Sequence, residues 1–188
     1  MGTPVKETSF RRMKRREDCV GIRRYGLRTF WRAAAVSFAA ASTLGFAVPA
    51  PAQQVRLTKL SNASFGTIAS FTTDSQKNEN VCAYSSTSGG GYGITATGSG
   101  SGGAFTLSGS SATLAYEVQW SSSSGQTSGT SLSPGIALTG QTSGALSSNC
   151  NVGPATTASL IILIRASAAS SATAASYSGT LTLMVAPE

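Results

Sequence analysis

From residue 63 to the C-terminus, apolar residues come in runs of four to ten positions separated by Gly, Ser, Asn and Pro, and no run carries a convincing helical repeat. The first run is 63–71 (ASFGTIASF), followed by 81–85, 92–97 and 104–107. The clearest alternation is 112–120 (ATLAYEVQW): Leu114, Tyr116, Val118 and Trp120 share one face, and Glu117 falls on the other. A short run at 135–139 comes next. Residues 160–164 (LIILI) are apolar on both parities, the pattern of a central strand covered on both faces. The last run, 177–186, alternates through Tyr177, Gly179, Leu181, Leu183 and Val185. Short strands at near-regular spacing predict an all-β fold, a β-sandwich.

The intervals are made of small polar residues. Between 85 and 111, 21 of 27 residues are Ser, Thr or Gly, a composition shared with disordered linkers. Tyr92, Ile94, Phe105 and Leu107 fall at strand spacing within it, so the segment is read as hairpins with small-residue loops. Residues 121–133 (SSSSGQTSGTSLS) read as a loop between two strands, and 72–80 (TTDSQKNEN) as a solvated polar turn. The Ala/Ser run after Arg165 supports one helical turn and no more, because Ser and Thr interrupt it.

The first 52 residues have a different character. Ten of the fourteen Lys and Arg residues lie between Lys6 and Arg32, ahead of an apolar stretch of sixteen residues at 33–48. Ala50-Pro51-Ala52 then offers the small residues a signal peptidase reads. Residues 1–52 are therefore read as a cleaved signal peptide, with Met13 as an alternative start. The apolar stretch is too short and Ala-rich for a spanning helix, which wants about 20 strongly apolar residues. Arg23-Arg24-Tyr25 offers only a partial twin-arginine match. After residue 52, four basic residues (Arg56, Lys59, Lys77, Arg165) face four acidic ones (Asp74, Glu79, Glu117, Glu188). The nominal charge of +7 thus belongs to the leader, and the processed chain gives no electrostatic reason to expect nucleic-acid binding.

The processed chain, 53–188, keeps two of the three cysteines, Cys82 and Cys150. An exported protein folds in an oxidising compartment, which favours a disulfide between them. A metal pair lacks further ligands, since the sequence has no His. Missing His also removes the commonest general base, and no G-x-S-x-G elbow with partners is present. No enzyme activity, catalytic residue, metal or cofactor is expected. Tyr92 and Trp120 lie on the apolar parity of their strands and read as core residues before ligand-stacking ones.

Several of these segments carry a family likeness. Phe-Gly-Thr-Ile at 65–68 is followed by Cys82, Tyr-x-Ile-Thr at 92–95, Leu-x-Tyr-x-Val at 114–118 and a closing Tyr-Ser-Gly-Thr-Leu-Thr-Leu at 177–183. Together they resemble subunits of bacterial chaperone–usher pili, in particular the spore-coat-protein-U-like branch. The likeness spans nearly all of 53–188, and the closing motif is its most specific part. The chain departs from the pattern in ending Val-Ala-Pro-Glu, where many such subunits place an aromatic residue, and in its brief N-terminal segment.

The resemblance implies an incomplete immunoglobulin-like β-sandwich at 63–188 that lacks its final strand. A periplasmic chaperone fills the vacancy first, and the N-terminal extension of a neighbouring pilus subunit replaces it at the outer-membrane usher. The implied acceptor groove is lined by Phe65, Leu181, Leu183 and Val185. The donor-strand candidate is 53–62 (QQVRLTKLSN), with Val55 and Leu57 as its in-phase apolar residues. Lys59 breaks that phase and Leu60 falls outside it, so the segment also reads as the start of the domain's own first strand. The implied function is a structural subunit of a surface fimbria, reached through the periplasm. The alternative is a secreted or fimbria-tip adhesin whose Ser/Thr/Gly-rich loops bind a surface ligand.

Overall fold

A strand that is apolar on both faces needs partners on both edges and cover on both sides, and the fold is organised around one. The computed structural model describes residues 6–10 and 52–188. The apolar stretch of the leader, Met13, the twin-arginine match and most of the cleavage site lie outside the described residues. Lys6–Phe10 belongs to the same compact unit as Gln53–Glu188.

The chain runs through β1 (Lys6–Phe10), β2 (Val55–Thr58), β3 (Ser64–Ile68), β4 (Ser75–Ser85) and β5 (Gly91–Thr97). Next come β6 (Thr106–Ser108), β7 (Thr113–Ala115), β8 (Glu117–Ser121), β9 (Thr130–Ser131) and β10 (Ala137–Thr142). It ends with β11 (Ala158–Ile164), the short helix α1 (Ala166–Ser171), β12 (Tyr177–Gly179) and β13 (Thr182–Pro187). One sheet has the order β2-β4-β11-β8-β9, a second β10-β5-β13, and a third β3-β1-β12-β6-β7. All pairings are antiparallel except that of β1 with β12, which is parallel.

β11 holds the LIILI run, and all seven of its residues are buried between β4 and β8. Its demand for a partner explains a departure from the sequence reading. The polar stretch expected to be a turn at 72–80 is mostly the first half of β4, with Lys77 opposite Ile162 and Glu79 opposite Leu160. Backbone pairing to a buried strand overrides the weak strand preference of Gln, Lys, Asn and Glu, whose polar groups reach outward. β8 follows the alternation read at 112–120, burying Val118 and Trp120.

The Ser/Thr/Gly-rich 85–111 segment contains β5 and β6, as its apolar spacing suggests, but the two do not pair with each other. β5 pairs with β10 and β13, whereas β6 forms a hairpin with β7. The chain changes sheets through a tight turn in which the Gly98 N–H donates to the Gly103 carbonyl (2.7 Å). A Cβ on Gly98 would lie 2.1 Å from the Ala104 carbonyl oxygen, so no other residue fits there unless the turn moves.

Trp120 of the β11 sheet meets Tyr92 of the β5 sheet edge-on at 6.4 Å, and its Nε1–H donates to Tyr92 Oη (3.1 Å). Both rings are almost wholly buried, so this pair ties two sheets together inside one core. Cys82 on β4 and Cys150 are disulfide-bonded with their Cα atoms 5.9 Å apart. The bond closes a separation of 68 residues and contributes about 4 kcal/mol in the chain-entropy picture.

Candidate strand-accepting edge

The last strand is read in sequence as one alternating run, and the fold splits it between two sheets. β12 pairs with β6 through Ser178 opposite Ser108, while β13 pairs along its length with β5, from Thr182 opposite Thr97 to Pro187 opposite Tyr92. Leu181, between the two halves, is fully buried. Leu183 and Val185 are half-buried on β13, opposite Ala96 and Ile94, and pack against the core. β13 forms the edge of its sheet. β13 also comes close to β2.

The fourth expected groove residue, Phe65, belongs to β3. Phe65 is half-buried there and also packs against the core. The four residues expected to line a groove therefore contribute to one core, Phe65 from β3 and the other three from the last strand. Between β3 and β12 runs β1, with Thr8 opposite both Gly66 and Tyr177. Its register with β3 shifts between Thr8 and Ser9, which stand opposite Gly66 and Ser64, so Phe65 is the extra residue of a bulge. Gly66 has φ +60°, the left-handed backbone such a bulge requires and glycine adopts without strain. Among the described residues, β1 is the only strand that pairs with β3.

Val55 and Leu57, the donor candidates, sit on β2. They pair antiparallel with β4 of the same domain, Val55 opposite Ser85 and Leu57 opposite Ala83. Leu57 is 9% exposed within the core, and Val55 packs against that core. The Gln54 N–H donates to Ser86 Oγ (2.7 Å) and its carbonyl accepts from the Ser86 N–H (2.8 Å), fastening the segment from its second residue onward. Here the segment is the domain's own first strand. Backbone pairing with β4 along one edge and a buried leucine outweigh the short alternation that suggested a free extension.

The polar loops are fastened as well. Within 121–130, the Gly125 N–H donates to Asn80 Oδ1 (2.8 Å) and the Gln126 N–H to the buried Ser159 Oγ (3.0 Å), while Gln76 Nε2 donates to the Thr127 carbonyl (2.6 Å). The loop before β11 is held by Cys150 and by Lys59, whose Nζ donates to the Ala155 carbonyl (2.6 Å) and, at 3.4 Å, to that of Cys150. On this loop Leu146 and Val152 stand exposed. Sequence reading passes over both, because isolated apolar residues in a polar loop carry no periodic signal. Tyr92 and Trp120 are buried core residues in the fold.

The main charged cluster is at the other end of β11. Arg165 donates from Nε and Nη2 to Glu117 (2.9 and 2.7 Å) and from Nη1 to Asp74 (3.0 Å), and Asp74 Oδ1 accepts the first amide of α1 from Ala166 (2.8 Å). The Ala166 amide and Arg165 lower the Asp74 pKa, and the Arg165 hydrogen bonds lower that of Glu117. These exposed pairs fasten α1 and the start of β4 to β8. No group of three His, Cys, Asp or Glu among the described residues is placed to hold a metal, and no described helix is long and apolar enough to cross a membrane. No family model, curated protein or solved structure matches the chain.

Proposed function

We propose that the chain is a subunit of a surface fimbria, folded with a periplasmic chaperone, delivered to an outer-membrane usher and joined to a neighbouring subunit by donor-strand exchange. One observation carries this reading. Within 53–188, β3 and β12 are neighbours in a sheet only by way of β1, a strand drawn from the leader. Removal of residues 1–52 takes that strand away and leaves an immunoglobulin-like sandwich one strand short. The vacancy leaves unpaired backbone on the facing sides of β3, which carries Phe65, and β12, and a strand from another chain satisfies it.

The pairing of β2 favours a terminal position in the fibre. Cleavage before Gln53 leaves only Gln53 and Gln54 ahead of β2, a reach of about 7 Å when fully extended. That is too short to fill a neighbour's vacancy, so the subunit accepts a strand without donating one. A terminal subunit is the one free to touch a ligand, which supports the adhesin variant of the same function, with the loop bearing Leu146 and Val152 among the surfaces it offers.

The test is expression of the exported protein together with a pilus chaperone and its usher. The chain is expected to co-purify with the chaperone and to appear once per fibre, at an end, under immunogold labelling. Labelling along the whole shaft would overturn the terminal assignment. Export with no chaperone association would overturn the fimbrial reading.

A further inference from the structure

We propose that Gln53 is a modification site: once leader removal makes it the first residue, its α-amine closes on its own side-chain amide to give pyroglutamate. The inference rests on cleavage before Gln53 and is independent of fimbrial assembly. Gln53 is exposed and lies ahead of β2, which starts at Val55. Its neighbour is held quite differently. Gln54 donates its N–H to Ser86 Oγ (2.7 Å) and accepts the Ser86 N–H on its carbonyl (2.8 Å). Val55 then stands opposite Ser85 in the β2–β4 pairing. The fold thus anchors the chain immediately after Gln53 and leaves that residue able to turn.

The chemistry needs nothing from outside the residue. The neutral amine attacks Cδ of the side-chain amide and forms the N–Cδ bond of a lactam ring. The Cδ–Nε2 bond breaks, and a proton from the amine leaves with Nε2 as ammonia. No oxidant or co-substrate enters. An α-amine has an ordinary pKa of about 7.7–8.0, so a neutral fraction is present near neutral pH. Holding nucleophile and carbonyl in one residue replaces a collision with a rotation. At Gln54 the same closure is hindered, because Ser86 Oγ engages the nitrogen and that hydrogen bond has to break first. The fold therefore singles out the first of two adjacent glutamines. The product carries no α-ammonium, which removes one positive charge from a processed chain whose charged side chains balance. It also denies aminopeptidases the charged terminus they grip, protecting β2 and its buried Leu57 from the open end.

The experiment follows the exported protein by intact mass spectrometry and N-terminal sequencing during incubation at pH values from about 6 to 9, either side of the amine pKa. Four chains are compared: the natural one, Gln53→Ala, a chain with Gln53 deleted so that it starts at Gln54, and that deletion chain carrying Ser86→Ala. The natural chain should lose one ammonia, faster as pH rises through the amine's range, and then resist both sequencing and aminopeptidase. Gln53→Ala should keep its mass and be trimmed. The deletion chain should cyclise about two- to tenfold more slowly, the range set by one hydrogen bond, and Ser86→Ala should restore the faster rate. In denaturant, chains starting at Gln53 and Gln54 should cyclise alike. A chain that starts at Gln53 and keeps its amine throughout overturns the inference and leaves leader removal standing. A different first residue overturns both. Equal native rates from Gln53 and Gln54 overturn the selectivity assigned to the fold.

Discussion

Trp120 and Tyr92 show how a single polar contact can hold two sheets in register. The indole N–H and the phenol oxygen are buried with each other as partners, and burial raises the Tyr92 pKa so that it remains a neutral phenol. Trp120→Phe keeps the apolar bulk of a ring but leaves the Tyr92 hydroxyl buried without this partner. The expected loss is about 1–3 kcal/mol in chemical denaturation, larger than the loss of an exposed hydrogen bond. Arg165 offers a contrasting case at the surface. Asp74 and Glu117 both have folded-state pKa values below their ordinary ones, so the stability they contribute is present above the unfolded carboxylate range and lost as pH falls through their folded values. The loss should begin below about pH 4.5, the ordinary value for Glu, and continue below 3.8, that for Asp. Arg165→Gln should flatten this acid limb and change stability at neutral pH only modestly, because the pairs are screened by solvent. Thermal melts of both proteins between pH 2 and 7 check it.

Elements with strong apolar periodicity are legible in the sequence. The LIILI run of β11, the alternation of β8 and the Tyr177-to-Val185 pattern each carry their burial with them. The first half of β4 is not legible, because Gln76 to Asn80 are polar and become a strand only through the backbone demand of β11. Partner choice for β5 and β6 is hidden for a related reason: Ser, Thr and Gly do not say which sheet a strand joins. β1 carries no apolar alternation and lies in a basic leader, so nothing local marks it as a strand. On the candidate site, the apolar flank is legible from alternation, whereas the membership of β2 is decided by pairing with β4. That pairing changes what mutation should do. Val55→Asp/Leu57→Asp places charge against the core and forgoes about 1.5–3 kcal/mol for the burial of Leu57 alone. On the proposed function, folding with a chaperone should fail along with assembly, as pulse proteolysis of periplasmic extracts would show. Normal folding with assembly alone lost would return these residues to a donor role.

At the scale of the molecule, a small all-β domain depends on its covalent staple, the more so if a sheet position is unfilled as proposed. Cys82→Ser/Cys150→Ser should lower stability by about 4 kcal/mol relative to the oxidised protein, measured by denaturation of the donor-filled domain. With that staple in place, what the proposed reading leaves unsatisfied after processing is the lane between β3 and β12. Such an edge invites pairing with any available strand, including one from a second copy. The most direct measurement is therefore the solution state of oxidised 53–188 by itself and with a donor strand fused after Glu188 through a flexible linker, followed by light scattering and thermal unfolding. The domain alone should aggregate or self-associate and melt low and broadly, and the fused form should be a monomer with a sharp transition at much higher temperature. A monodisperse, highly stable monomer of 53–188 with no added strand would contradict the account.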